Sequence, residues 1–143
     1  MRRRKMTVKD YLNQAFYLDQ RINSKLSILT SLREMIIKTT KILEGSAVIH
    51  TQNNNAEEDI IAKIAEMQDE IKKDIEELIN RKKEIMLSIH NVNNPEYQTL
   101  LELRYICFNS WEEIADQMHC TVSNVFKVHS KALRNVVILK LDS

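Results

Sequence analysis

The residues best placed to do chemistry lie between 110 and 134. Ser110-Trp111-Glu112-Glu113 is a capping box, in which the serine hydroxyl accepts from the backbone of residue 113 and Glu113 reaches back. The helix it opens turns Trp111, Ile114, Ala115 and Met118 inward. His119, Cys120 and Thr121 form a short turn, Thr121 caps the next helix, and Val125, Val128, Ala132 and Leu133 make that helix's apolar stripe. Two short helices joined by a three-residue turn, with the small Ala115 at their crossing, have the pattern of a helix-turn-helix. From Gln117 to Leu139 the chain carries Lys127, Lys131 and Arg134 and no acidic residue, whereas the preceding helix carries Glu112, Glu113 and Asp116. The second helix of such a motif enters the major groove, where carboxylates would meet phosphates, so this sorting of charge points to double-stranded DNA.

The outward positions of that second helix, 121–134, are Val122, Ser123, Asn124, Phe126, Lys127, Ser130, Lys131 and Arg134. Asn124 and Lys127 suit base edges, and Val122 suits a thymine methyl group. Ser123, Ser130, Lys131 and Arg134 suit phosphates. The competing reading of the same pattern is a small three-helix bundle with a solvated basic face. Other chemistries fit less well. His119, Cys120, Cys107 and His129 fall close together, but an adjacent His-Cys and a wide gap between the cysteines do not match zinc-finger spacing, so no metal is expected and the cysteines read as small apolar core residues. There is no Gly-rich phosphate loop, no HExxH and no nucleophile in a recognised motif. The expectation is a protein that is not an enzyme and uses no cofactor.

Long helices must carry this unit. The 143 residues include one Gly, one Pro and 6% aromatics, which leaves little material for the turns of a β fold, and an all-α chain is expected. Residues 1–6 read as a flexible basic tail. From about 7 to 44, Leu12, Ala15, Ile22, Leu26, Leu29, Ile36 and Leu43 form one helical stripe, widened by Leu18, Leu32 and Met35, with Thr7 as N-cap and Gly45 as the stop. The polar residues 46–55 read as an exposed loop. From about 56 to 91, Ile61, Ile64, Ile71, Ile75, Leu78, Ile85 and Ile89 recur in steps of three and four, interrupted by Gln68 and Lys82, and the abundant carboxylates read as a solvated face. Glu57, Glu58 and Asp59 in the first turn and Arg81 to Lys83 late suit the helix dipole. These helices form either a hairpin within one chain or a coiled-coil homodimer. Residues 1–50 carry 10 basic and 4 acidic residues and residues 51–91 carry 6 and 10, a bias that packed helices would use at their flanks. Asn94 as N-cap and Pro95 at the first helical position open a third domain, 92–143, after a boundary near Val92.

Leu103-Arg104-Tyr105, Ser110-Trp111-Glu112-Glu113-Ile114-Ala115, Val125-Phe126-Lys127-Val128-His129 and Lys131-Ala132-Leu133 resemble the region-four DNA-binding module of bacterial sigma factors. More closely they resemble the sigma-like phage regulators known as ArpU-type late-gene transcriptional regulators, whose opening is matched by Tyr11-Leu12-Asn13-Gln14-Ala15 and Leu18-Asp19-Gln20-Arg21-Ile22-Asn23. The resemblance implies a helix-turn-helix regulator that controls phage or prophage genes beside RNA polymerase in the bacterial cytoplasm. It puts His119 where such turns usually have Gly, a left-handed position, and Val122 where the module often has Arg. The alternative is a DNA-packaging or assembly subunit with a helix-turn-helix on an oligomerising stalk. No apolar run reaches the length of a spanning helix, and the basic start is not followed by the apolar stretch of a signal peptide, so neither membrane nor export is expected.

Overall fold

The structure, a computed structural model, describes the backbone of residues 6–44 and 50–139 and the side chains of 6–42 and 55–139. It is all-helical, with no strand among the described residues. The order is α1 (Val8–Leu12), α2 (Gln14–Glu44), α3 (His50–His90), α4 (Pro95–Tyr105), α5 (Trp111–Gln117) and α6 (Val122–Arg134). No helix among the described residues is long and apolar enough to cross a membrane.

Three expectations about the long helices need correction. The first helix does not run unbroken from 7 to 44, because Asn13 interrupts it. The helical hydrogen bonding is nonetheless carried through, from Asn13 N–H to the Lys9 carbonyl at 3.0 Å and from Tyr17 N–H to the Asn13 carbonyl at 3.2 Å. Asparagine is a weak helix former, and Asn13 stands at the C-terminal cap of the short first helix. The expected loop of 46–55 is corrected at its end. The expected stop, Gly45, and residues 46–49 of the loop lie outside the described residues, but His50 to Asn55 are helical. Each Asn or Thr in a helix costs less than about 1 kcal/mol, and a long helix already nucleated propagates through them. Glu57, Glu58 and Asp59 therefore lie beyond the first turn of α3, which holds no acidic residue, and only His90 is basic in its last turn. Residues 1–5 of the expected basic tail also lie outside the described residues.

The boundary expected near Val92 is the third correction. The chain divides into one compact unit of residues 1–18 and 77–143 and a second of residues 19–76, so each long helix contributes to both. Val92 is buried in the main core of the first unit with Tyr11, Leu12, Ala15, Ile85, Ile89, Leu101, Tyr105, Ala132 and Val136. That core joins α1 and the end of α3 to α4 and α6. The segment after α6 closes it: Tyr11 Oη donates to the Leu139 carbonyl at 3.1 Å, and Leu139 N–H donates to Ser88 Oγ at 3.0 Å.

In the second unit Ile22, Leu29, Met67 and Ile71 are buried, while Leu26, Met35, Ile61 and Ile75 of the expected stripes are exposed. The carboxylates of α3 are not uniformly solvated. Asp74 is buried and pairs with Lys25 at 2.6 Å, with Arg21 at 3.6 Å beside it, and Lys25 also reaches Glu70 at 3.5 Å. A buried carboxylate is tolerated only with such a partner, and the pair ties α2 to α3.

Candidate nucleic-acid interface

Side-chain caps start α4, α5 and α6. Asn94 accepts from the backbone of Glu96 at 2.9 Å and of Tyr97 at 3.3 Å, with Pro95 next to it, which is the arrangement its residue types favour. Ser110 Oγ accepts from Glu113 N–H at 3.2 Å, and Thr121 Oγ1 accepts from Asn124 N–H at 3.1 Å. Between α5 and α6 the chain turns through His119, whose φ of 55° lies in the left-handed region. The turn is tied by His119 N–H to the Asp116 carbonyl at 3.2 Å and Cys120 N–H to the Ala115 carbonyl at 3.0 Å.

A second core cluster of Leu100, Ile114, Ala115 and Val125 holds α4, α5 and α6 together, with Leu103, Trp111, Met118, Cys120, Val122 and Val128 packed against it. Val122 thus leaves the outward set. At the first position of α6 its side chain turns into this cluster and is half-buried, because Val125 and Val128, three and six residues on, share that face. The other expected contact residues, Ser123, Asn124, Phe126, Lys127, Ser130, Lys131 and Arg134, are all exposed on α6. No acidic side chain lies on that helix, and Lys131 and Arg134 occupy its last turn, where positive charge suits the helix dipole.

Behind this face is a polar and aromatic assembly that periodicity alone does not reveal. His129 is buried among apolar residues, and its Nε2 shares a 2.6 Å hydrogen bond with Tyr105 Oη. Its place on the inner face follows from its spacing, four residues after Val125 and three before Ala132. Burial holds the His129 ring down at about 4, with Lys9 and Arg104 acting in the same sense, so the ring is neutral near pH 7. Burial likewise raises Tyr105 to about 12, against the opposing pull of Arg104. Trp111 sets its ring edge-on to His129 at 4.7 Å and to Phe126 at 5.2 Å. The Arg104 guanidinium covers Trp111 at 4.1 Å while its Nη1 donates to the Asn109 carbonyl at 3.0 Å. Phe126 is therefore fixed from one side by Trp111 and is still 47% exposed.

Phe108, between α4 and α5, has a φ of 58°, a strained value for a bulky residue. Its ring packs edge-on to Phe16 at 5.7 Å and lies under Lys82 Nζ at 4.6 Å, contacts that hold it there. Lys82, read in the sequence as an interruption of the apolar seam, thus covers an aromatic ring. Among the described residues no three His, Cys, Asp or Glu side chains gather as a metal site.

Neither the curated proteins nor the solved structures contain a match to this chain. A family model does match it, over residues 37–137, from the second half of α2 to just past α6, and the chain belongs to that family, described as Protein of unknown function (DUF1492).

Proposed function

We propose that the protein is a sequence-specific DNA-binding transcriptional regulator, with α5 and α6 acting as a helix-turn-helix and α6 as the helix that enters the major groove. The observation that carries this reading is the outer face of α6: Ser123, Asn124, Phe126, Lys127, Ser130, Lys131 and Arg134 are all exposed on a carboxylate-free helix. Capped helices and a left-handed turn at His119 support it, since these are what two short helices need to cross over a three-residue turn. Asn124 and Lys127 would read base edges, and Ser123, Ser130, Lys131 and Arg134 would hold phosphates. With Val122 packed inward, the apolar contact to a thymine methyl passes to Phe126, which Trp111 backs at 5.2 Å. The phage or prophage setting rests on the sequence resemblance to sigma-like regulators.

Selection of bound fragments from genomic DNA at physiological salt, followed by titration of the recovered sequence, tests the reading. Recovery of one short motif, bound specifically and with an affinity that falls with salt, supports it. Absence of enrichment contradicts it.

A further inference from the structure

Trp111 is the one tryptophan of the 143 residues, and its ring is held from several directions. His129, tied to Tyr105, meets it edge-on at 4.7 Å. The Arg104 guanidinium lies over it at 4.1 Å, with Nη1 anchored on the Asn109 carbonyl at 3.0 Å. Phe126, 47% exposed, meets it edge-on at 5.2 Å. Arg104 and Tyr105 both belong to α4, which lies outside the two helices assigned to DNA.

Phe126 needs this support to act as a directional contact. Of its neighbours one turn away on α6, Val122 packs into the second core cluster and His129 is buried, while Ser123 is small and exposed and Ser130 is small. A ring so placed can take each staggered χ1 value that the helix allows, and each points it at a different spot. The edge of Trp111 favours one of them. A contact fixed before binding loses less conformational freedom when DNA arrives. Trp111 can serve in this way only while its own ring is fixed. His129 restrains it edge-on, and the guanidinium restrains its face as a cation–π partner. The bond to the Asn109 carbonyl keeps that guanidinium in place.

We propose that Arg104 is a positioning residue for base recognition: by holding Trp111 against Phe126, it keeps the Phe126 ring on the 5-methyl group of one thymine. Arg104 acts through Trp111 and touches no DNA itself. The inference rests on the DNA-binding reading and extends it to a residue outside α5 and α6.

The test uses the full-length chain, the duplex recovered by selection from genomic DNA, and the same duplex with each thymine in turn replaced by deoxyuridine, which pairs alike but lacks the 5-methyl group. The wild type is expected to lose about fourfold in affinity at one thymine, the effect of one buried apolar carbon. Phe126→Ala should bind the two duplexes alike. Arg104→Gln should lose most of the difference, with its helix content retained in circular dichroism and its slope of log affinity against log salt unchanged. In the same variant the Trp111 fluorescence should move to longer wavelength, because the ring loses its cover. Arg104→Lys keeps the charge without the flat guanidinium and should follow Arg104→Gln. Wild-type discrimination in either Arg104 variant, or a duplex in which no thymine methyl matters, overturns the proposal and leaves DNA binding standing. A salt slope reduced by about 1 in Arg104→Gln makes Arg104 a phosphate contact and overturns it as well. A wild type that recovers no duplex overturns both readings.

Discussion

The two compact units solve the burial problem in opposite ways. Around α4, α5 and α6, short helices converge on closed cores: Leu100, Ile114 and Val125 are fully buried, as are Leu101, Ile85 and Ile89 beside them, and polar groups that enter are paired, His129 with Tyr105 and Ser88 with the Leu139 N–H. In residues 19–76 two long helices meet along a narrow line of Ile22, Leu29, Met67 and Ile71 with the Lys25–Asp74 pair, and a larger number of Ile, Leu and Met side chains stay exposed. Short helices can be surrounded by neighbours. A pair of long ones can bury only the stripe between them and leaves its outer faces to water or to another chain. The first arrangement holds the exposed face of α6 on a closed core; the second leaves apolar side chains exposed along both long helices.

Mutational stability should separate the units most sharply. Ile114→Ala removes fully buried atoms from a closed core and should lower unfolding free energy by about 3 kcal/mol, whereas Met35→Ala, at an exposed position, should change the monomer by less than about 0.5 kcal/mol. Urea titration followed by circular dichroism gives both numbers, and similar losses at the two sites would erase the distinction. In the second unit the largest single effect should come from its ion pair. Asp74→Ala leaves the half-buried Lys25 with only Glu70 at 3.5 Å, a loss of about 2 kcal/mol on the same titration. A loss near zero would show that the pair contributes no net stability to this unit.

The first unit should also be sensitive to acid through His129. Its ring takes up a proton at about 4 when folded and at its ordinary 6.5 when unfolded, so between these values the unfolded chain binds more protons and stability falls as pH is lowered. Above 6.5 this contribution is flat. His129→Leu should remove that part of the pH dependence while leaving Tyr105 Oη without its partner, a separate penalty of about 1 kcal/mol at neutral pH. Thermal melts of both proteins from pH 4 to 8 would show the divergence, and parallel curves would place the titration elsewhere.

The smallest effect concerns the two left-handed residues. His119 is exposed, so His119→Gly should relieve backbone strain and raise stability by about 0.5 kcal/mol. Phe108→Gly should do the reverse, because the ring's contacts with Phe16 and Lys82 outweigh the strain. Equal signs in a melting comparison would contradict this account of the two turns.

What the sequence makes legible follows a physical division. Thr7, Asn94, Ser110 and Thr121 announce their helices because capping is a contact over two or three residues, whereas the left-handed turn at His119 is implied only by the resemblance to modules that have Gly there. The exposure of most of the α6 face follows from helical period alone. Asp74 is another matter: one carboxylate among eight in its stretch of α3 becomes buried only because Lys25 arrives from 49 residues away. His129 and Tyr105 are paired across two helices, and Val122 turns inward because α4 and α5 provide the cluster it fills. Phe108 in a left-handed conformation is intelligible only once Phe16 and Lys82 are beside it. The helical state of His50 to Asn55 shows the converse, local polarity overridden by the cooperativity of a long helix.

The most direct test of the DNA-binding reading is a salt titration of affinity for the selected DNA sequence, made with wild type, Lys131→Ala and Asn124→Ala. Lys131→Ala should weaken binding to all sequences alike and reduce the slope of log affinity against log salt by about 1, as expected for one lost phosphate contact. Asn124→Ala should keep the slope and lose about 1–3 kcal/mol of discrimination at one base pair. Wild-type affinity retained in both variants, with an unchanged slope, would contradict the assignment of α6 as the DNA-reading helix.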